Sequence, residues 1–317
     1  MNLMDIEPNS ELKKNLRDYL NKHRKEIEIG ELADKFEKPP KIIRAVLEKI
    51  KQDGFNIEYA KEREEKVSLV RGSMTAFIDI DEYFQNEIKI GIISDTHLVS
   101  TKCDLKALKR AYELFRRHEV QVVLHAGNCI DGEKTYEGHE YELLFVGFEK
   151  QIDYFVNEYP YIEGIKTKMI CSSTCHEGKY FKMMGMEIGK RIALQRNDIK
   201  YLGLDCADIY FGNEKKVDLR IMHPGGGSSY ALSYKCQKII ESFSGGNKPN
   251  ILILGHYHKS GFFTIRNVHT ILAASTQNQT RFMLKHTLES VKGCYILEFQ
   301  TYGKSVISFK PTFFPFY

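Results

Sequence analysis

No stretch of this 317-residue chain approaches the roughly 20 consecutive apolar residues that cross a bilayer. Met1–Ser10 carries Asp5 and Glu7 where a secretory leader is basic and then apolar. Both absences point to a cytoplasmic protein without a membrane partner. Paired CxxC spacing is also lacking: the seven cysteines are odd in number and scattered, which argues against a disulfide framework or a zinc ribbon and for reduced thiols. Nor is there an internal repeat or a low-complexity tract. Charge of one sign is scarce too, since 46 Lys and Arg face 42 Asp and Glu, and a net +4 is too small to establish a nucleic-acid partner. What is present, 42% hydrophobic and 28% charged residues, is the composition of a globular protein with a sizeable core rather than of a disordered one. The length suits two domains, or one large domain with an appendage.

Residues 1–73 read as a small helical module. Ser10 is a candidate N-cap, after which Leu12, Leu16, Tyr19 and Leu20 keep helical spacing to about His23. Ile29, Leu32, Ala33 and Phe36 mark a second helix, broken at Pro39-Pro40; Ile42, Ile43, Val46, Leu47 and Ile50 line a third that stops at Gly54. Strand-like runs at Phe55–Tyr59 and Lys66–Arg71 flank a charged loop, Lys61–Glu65. Three helices and a hairpin in this order resemble a winged helix-turn-helix module, in which helix three would be the recognition element and Lys41, Arg44 and Lys49 would meet nucleic-acid phosphate. The same 73 residues hold 16 basic and 15 acidic side chains, however, so a module that docks a protein partner or orients a substrate stays open. A linker over 74–87 then leads to a second domain over 88–317.

That domain repeats one grammar. Ile88–Ile93 is a near-continuous aliphatic run, the mark of a strand buried on both faces, and it ends at Ser94-Asp95-Thr96-His97. Gln121–Leu124 runs into His125-Ala126-Gly127-Asn128, Lys168–Cys171 into Thr174-Cys175-His176-Glu177, Leu219–Met222 into His223-Pro224-Gly225-Gly226, and Ile251–Leu254 into Gly255-His256-Tyr257-His258. Helical patterns at Leu105–His118 and Glu140–Tyr159 lie between them. Strands alternating with helices predict an α/β sandwich whose polar loops gather at one sheet edge.

In their order and spacing, Asp95-Thr-His97, Gly127-Asn128-Cys-Ile-Asp131, Thr174-Cys175-His176-Glu177, His223-Pro-Gly-Gly and Gly255-His256-Tyr-His258 resemble the motif series of the calcineurin-like metallophosphoesterases over residues 88 to 300. With its amino-terminal module the chain looks like the phage or prokaryotic type related to DNA-repair exonucleases. The resemblance implies a four-layer αββα sandwich holding one or two divalent ions, with Asp95, His97, Asn128 and His258 around one and Asn128, Cys175, His223 and His256 around the other. Imidazole with carboxylate suits Mn, Fe, Zn or Ni. It further implies hydrolysis of a phosphodiester, with nucleic acid preferred, by a metal-bound hydroxide that Asp95 orients, while His176 serves as general acid. Two alternatives stay open: a weak or inactive scaffold or nucleic-acid-binding subunit with this fold, and a phosphatase of nucleotides or proteins.

Two positions depart from the family pattern. Asn128 stands where the family has a bridging Asp, so the bridge loses a charge and binding of at least one ion is expected to weaken. Cys175 replaces an Asn; as a thiolate it would restore negative charge and favour Zn or Fe over Mn or Mg, and as a thiol it would be inert. Asp131 has two open roles, support of the metal site, including compensation for Asn128, or a cap in the loop Asp131–Glu133. Gly225–Gly227 with Ser228 and Ser229 either approaches substrate phosphate or is a flexible connection. His125 is expected in the core, and His23, His118, His139, His269 and His286 at surface or packing positions. Tyr180, Phe181 and Tyr230 lie near the motifs and offer faces on which a base can stack.

Overall fold

The computed structural model describes residues 10–23, 27–52, 56–59, 66–70, 87–211, 217–244, 247–302 and 305–317. The chain divides into two compact units, Met1–Ser73 and Met74–Tyr317. None of the helices among the described residues is long and apolar enough to cross a membrane.

In the first unit, helices α1 (Ser10–Lys22), α2 (Ile29–Lys35) and α3 (Pro40–Gln52) follow the apolar spacing of the sequence, and α3 opens on a proline whose fixed φ suits the first helical position. Leu16 and Leu20 from α1, Ile29 and Leu32 from α2, and Ile43, Val46, Leu47 and Ile50 from α3 bury together as one core. Strands β1 (Ile27–Glu28), β2 (Asn56–Tyr59) and β3 (Lys66–Val70) form an antiparallel sheet in the order β1-β3-β2. On α3, Lys41 and Lys49 are exposed and Arg44 is half-buried. The side chain of Ser10, Gly54, the loop Lys61–Glu65 and residues 74–86 of the expected linker lie outside what is described.

The second unit has two sheets. The first comprises β4 (Ile88–Ile93), β5 (Val122–Ala126), β6 (Lys166–Cys171) and β7 (Ile199–Leu204) in parallel, extended past β4 by antiparallel β13 (Gly293–Tyr302) and β14 (Ser305–Pro315). The second comprises β8 (Cys206–Phe211), β9 (Val217–Met222), β10 (Ile251–Leu254), β11 (Gly261–Ile265) and β12 (Val268–Leu272), with β9, β10 and β12 parallel. Alternation along β4 explains the layering. Ile90 and Ile92 meet Ile209, Ile221, Ile253 and Ile271 of the second sheet, while Ile93 faces the helices α4 (Leu105–Arg117), α5 (Phe148–Glu158) and α7 (Ile188–Gln195). Helix α8 (Leu232–Ser242) covers the far side of the second sheet through Cys236 and Ile240. Two short helices, α6 (Gly178–Met184) and α9 (Arg281–Lys285), sit in the loops. The result is the expected αββα sandwich.

One expected element is corrected. The pattern over Glu140–Tyr159 is not a single helix: a 3-10 turn spans His139–Glu142, and α5 starts only at Phe148, after Gly147 at φ +99°. The segment between pairs its backbone with the loop after β4, Thr101 N–H donating to Glu142 O (2.8 Å) and Leu144 N–H to Val99 O (2.8 Å). Those bonds satisfy the peptide groups a helix would have used, and Tyr141 and Leu144 are left exposed.

Gly91 ties the sheet to α4. A Cβ there would come 2.8 Å from Cε1 of the buried Phe115 ring. Gly91→Ala is therefore expected to destabilise the protein by about 1–3 kcal/mol. Adding Phe115→Leu should recover part of that loss, as read from denaturant midpoints of the single and double variants.

Candidate metal centre

Strands β4, β5 and β6 of one sheet and β9 and β10 of the other all deliver their motif loops at their carboxyl ends. The loops are laced by backbone bonds: Asp95 N–H to Gly127 O (2.9 Å), His97 N–H to Asn128 O (3.0 Å) and Gly255 N–H to Met222 O (3.0 Å). Such tight turning puts Asp95, His97, Asn128, His176, His256 and His258 at φ between 45° and 78°, a left-handed conformation that non-glycine residues adopt at a cost and that clusters at functional sites. Gly127 and Gly255 have no room for a Cβ against the His223 ring, so that imidazole packs directly on backbone.

Two groups of ligand atoms result, each within 4.8 Å: Asp95, His97 and His258, and Cys175, His223 and His256. Asn128 lies between them, its Nδ2 donating to Asp95 Oδ1 (3.1 Å) and its Oδ1 accepting from Cys175 Sγ (3.8 Å). Every expected metal residue is thus brought to one place. The outer atoms of these side chains are already engaged. Asp95 Oδ2 accepts from Ser94 Oγ (2.6 Å) and the His256 N–H (2.8 Å); His223 Nδ1 is bonded to Ala126 O (2.6 Å), His256 Nε2 to Gly226 O (2.6 Å), and His258 Nδ1 meets Ser290 Oγ (3.2 Å). Each imidazole is fixed from behind, and its other nitrogen points inward. Two of these, His223 Nε2 and His256 Nδ1, are buried without any hydrogen-bond partner. A buried lone pair with no donor is costly unless something electrophilic meets it. His97 Nε2 and His258 Nε2 lie 3.2 Å apart, a separation natural for two ligands each about 2.0–2.1 Å from one ion. The residues fit divalent cations.

Asp131 holds the structure behind. Its Oδ1 accepts from His97 Nδ1 (2.7 Å) and His176 Nδ1 (3.0 Å), its Oδ2 meets His139 Nε2 (3.2 Å), and its carbonyl accepts from His176 Nδ1 (2.9 Å). Of the two roles open to Asp131, this is support of the site. Burial pushes the Asp131 carboxyl up, but the bonds from His139, His176 and His97 outweigh it and hold the group well below the usual carboxylate range. Asp95 is likewise held low, burial being overcome by His258 and His223. On His97, burial works downward, yet the bonds to Asp131 and Asp95 raise it to about 10; on His176 burial and the neighbouring His97 charge win, pulling it to about 4. In the metal-free site the proton resides on His97.

Sequence reasoning misses the roles of two contributors, His139 and Asp205, and names a third, Glu177, only as the last residue of its motif. His139, expected at a surface or packing position, is fully buried against Asp131. Glu177 accepts from both Asn128 N–H (2.8 Å) and Ser172 N–H (3.0 Å), so one carboxylate joins two ligand loops; burial pushes it up to about 7. Asp205 takes the Ser173 N–H (2.7 Å) while its carbonyl takes the His223 N–H (2.7 Å). His125 is in the core as expected, against Thr96 Oγ1 (3.0 Å). Gly226, Gly227 and Ser228 line the cavity over the site, which holds about 340 Å³. The aromatics expected near the motifs do not: Tyr180 is buried beside Phe148, Phe181 packs against the core and Tyr230 points fully into solvent. Lys41, Arg44 and Lys49 belong to the first unit.

No family model matches this chain, and no curated protein matches it. Among solved structures it is similar to a novel archaeal phosphodiesterase (16% identity, 72% of this chain and 100% of that one, TM-score 0.38). It is also similar to Yfce, a phosphoesterase from E. coli (12%, 70% and 98%, TM-score 0.36), and to wild-type Vps29 from Entamoeba histolytica complexed with Zn2+ (13%, 71% and 99%, TM-score 0.35).

Two outcomes follow from the geometry. Cobalt(II) added to the protein should give a near-ultraviolet sulfur-to-metal band that Cys175→Ser abolishes and Cys236→Ser leaves intact, Cys236 being buried under α8. The second concerns pH. Because folding raises His97 from 6.5 to about 10, its contribution to metal-free stability is complete below pH 6.5 and is lost as pH climbs toward 10. His97→Gln should flatten that decline in the denaturant midpoint, and metal binding at pH 7 should release about one proton, read by calorimetry in buffers of different ionisation enthalpy.

Proposed function

We propose that the second unit is a metal-dependent phosphoesterase that hydrolyses phosphodiester bonds, with nucleic acid as its preferred substrate. The observation that carries this reading is the pair of facing ligand groups, Asp95–His97–His258 and Cys175–His223–His256, with two buried imidazole nitrogens that no protein donor reaches. Divalent ions held by these groups supply Lewis acidity, neutralising phosphoryl oxygens and lowering the pKa of water at the site.

The remaining work falls to the chain. Asp95 carries the one carboxylate among the ligands, so it orients the water as well as binding. His176, with Nδ1 held by the Asp131 carbonyl and carboxylate, presents Nε2 to the cavity. Burial and the neighbouring His97 charge favour its neutral form; an anionic phosphate beside it would favour the protonated form, and Nε2 would then donate to the leaving oxygen. In the first unit, Lys41, Arg44 and Lys49 on α3 suit phosphate contacts, and the three-helix, three-stranded arrangement suits a winged-helix role in holding nucleic acid or a protein partner.

Asn128 favours a second reading, a scaffold or nucleic-acid-binding subunit with little turnover, because a neutral amide compensates two cations poorly. Hydrolysis of bis-p-nitrophenyl phosphate and of labelled DNA and RNA with Mn, Zn, Fe or Ni separates the two. Activity in the native chain, raised by Asn128→Asp, supports the enzyme; silence of both forms with every metal rejects it. His176→Gln should slow cleavage of esters with alkoxide leaving groups by about 10²–10⁴-fold, while p-nitrophenyl esters, whose leaving group needs no proton, should lose far less.

A further inference from the structure

The cavity beside the ligand groups is two-faced. Asn128, Cys175, His176, His256 and His258 form its floor, and Tyr136, Phe282, Met283 and Leu288 form an apolar wall. A site for phosphate alone needs no such wall, and leaving these side chains facing water would cost hydrophobic burial. The wall is also rigid. Tyr136 and Phe282 stack at 4.9 Å and 21°, a two-ring column with a tilted imidazole in contact with each ring, His139 at 4.6 Å from Tyr136 and His286 at 4.5 Å from Phe282. One end of the column is anchored twice, by Tyr136 O–H donating to Glu142 Oε2 (3.1 Å) and by His139 against Asp131 Oδ2 (3.2 Å). The other end is carried by α9, whose Thr280 cap accepts from Met283 N–H (3.1 Å). At about 340 Å³ the space is near the lower end of the roughly 300–1,000 Å³ of small-ligand pockets.

We infer that this wall is the specificity pocket for the organic group of the phosphoester, and that the group it takes is a single flat aromatic of nucleobase size. The phosphate sits over the ligand groups and the ring lies against Phe282, Met283 and Leu288. The inference rests on the phosphoester reading for the phosphate's place, but it concerns binding and does not require turnover. A flat ring meets the pocket with little loss of freedom, since both partners are preformed. An alkyl ester of the same charge reaches the floor and leaves the wall wet.

Calorimetric titration of the full chain, loaded with Mn2+, tests this with three probes: methyl phosphate, phenyl phosphate and adenosine 5′-monophosphate. The two aromatic probes should bind about tenfold or more tightly than methyl phosphate. Phe282→Ala should remove most of that preference while changing methyl phosphate affinity less than about twofold, and Leu288→Ala, a truncation at the edge of the wall, should act in the same direction with the unfolding temperature held. Equal affinity for all three probes, or a variant that weakens all three alike, overturns the pocket. If aromatic preference holds but no ester is hydrolysed with any metal, the pocket stands and the catalytic reading falls. If no phosphate binds, both fall.

Discussion

Two buried carboxylates, Asp95 and Asp131, organise the groups around them. A buried carboxylate without positive charge is among the most expensive groups a fold can contain. Among the described residues the groups that surround the pair are imidazoles, a carboxamide, a hydroxyl and backbone N–H groups, with no lysine or arginine bonded to either. The site must therefore recruit its cation. In the metal-free protein a proton on His97 serves, shared between the two acids. A divalent ion competes for the same nitrogen and brings more charge, so occupancy and fold stability are two faces of one balance.

The same balance makes sense of the two departures from the expected pattern. Were two ions held across Asn128, neither could lean on a shared anion, and each group would need its own. The first has Asp95; the second has only Cys175, whose sulfur sits 3.8 Å from the bridging amide. In the proposed reading, an amide at position 128 and a sulfur at position 175 would make the second group the softer of the two.

The ligand set was legible because each member stands at the end of an aliphatic run, and a strand that ends in a polar, glycine-rich turn announces where its tip goes. Seven motif residues could be placed without knowing a single contact. What surrounds them could not. His139 lies eight residues past Asp131 in a stretch whose apolar spacing looks helical; it is buried because that stretch pairs with Val99 and Thr101 instead, a partnership no local pattern encodes. Asp205 and Glu177 act through backbone N–H groups of other loops, and such bonds leave no mark in side-chain order. The aromatics near the motifs misdirected for a related reason: Tyr180 is on the core side of α6, whereas the rings that reach the cavity come from a loop and from five-residue α9, more than a hundred residues apart in sequence.

That distance matters for how the site works as a unit. The chain of contacts runs from His97 through Asp131 and His139 to Tyr136 and Phe282 without a gap wider than ring contact. Asp131 is bonded at once to a metal-ligand imidazole, to the imidazole over the phosphate and to the base of the apolar wall. A side chain so placed cannot shift to suit one neighbour without disturbing the others, since its four contacts use both oxygens and the carbonyl. In the proposed reading, the acid that holds the candidate ligand His97 also helps to set the distance from the ligand groups to the wall, and hence the span between phosphorus and ring that the pocket would accept. On that reading, selectivity for the organic group and competence to hold the cation are coupled through one carboxylate, and a change to either would be felt by both.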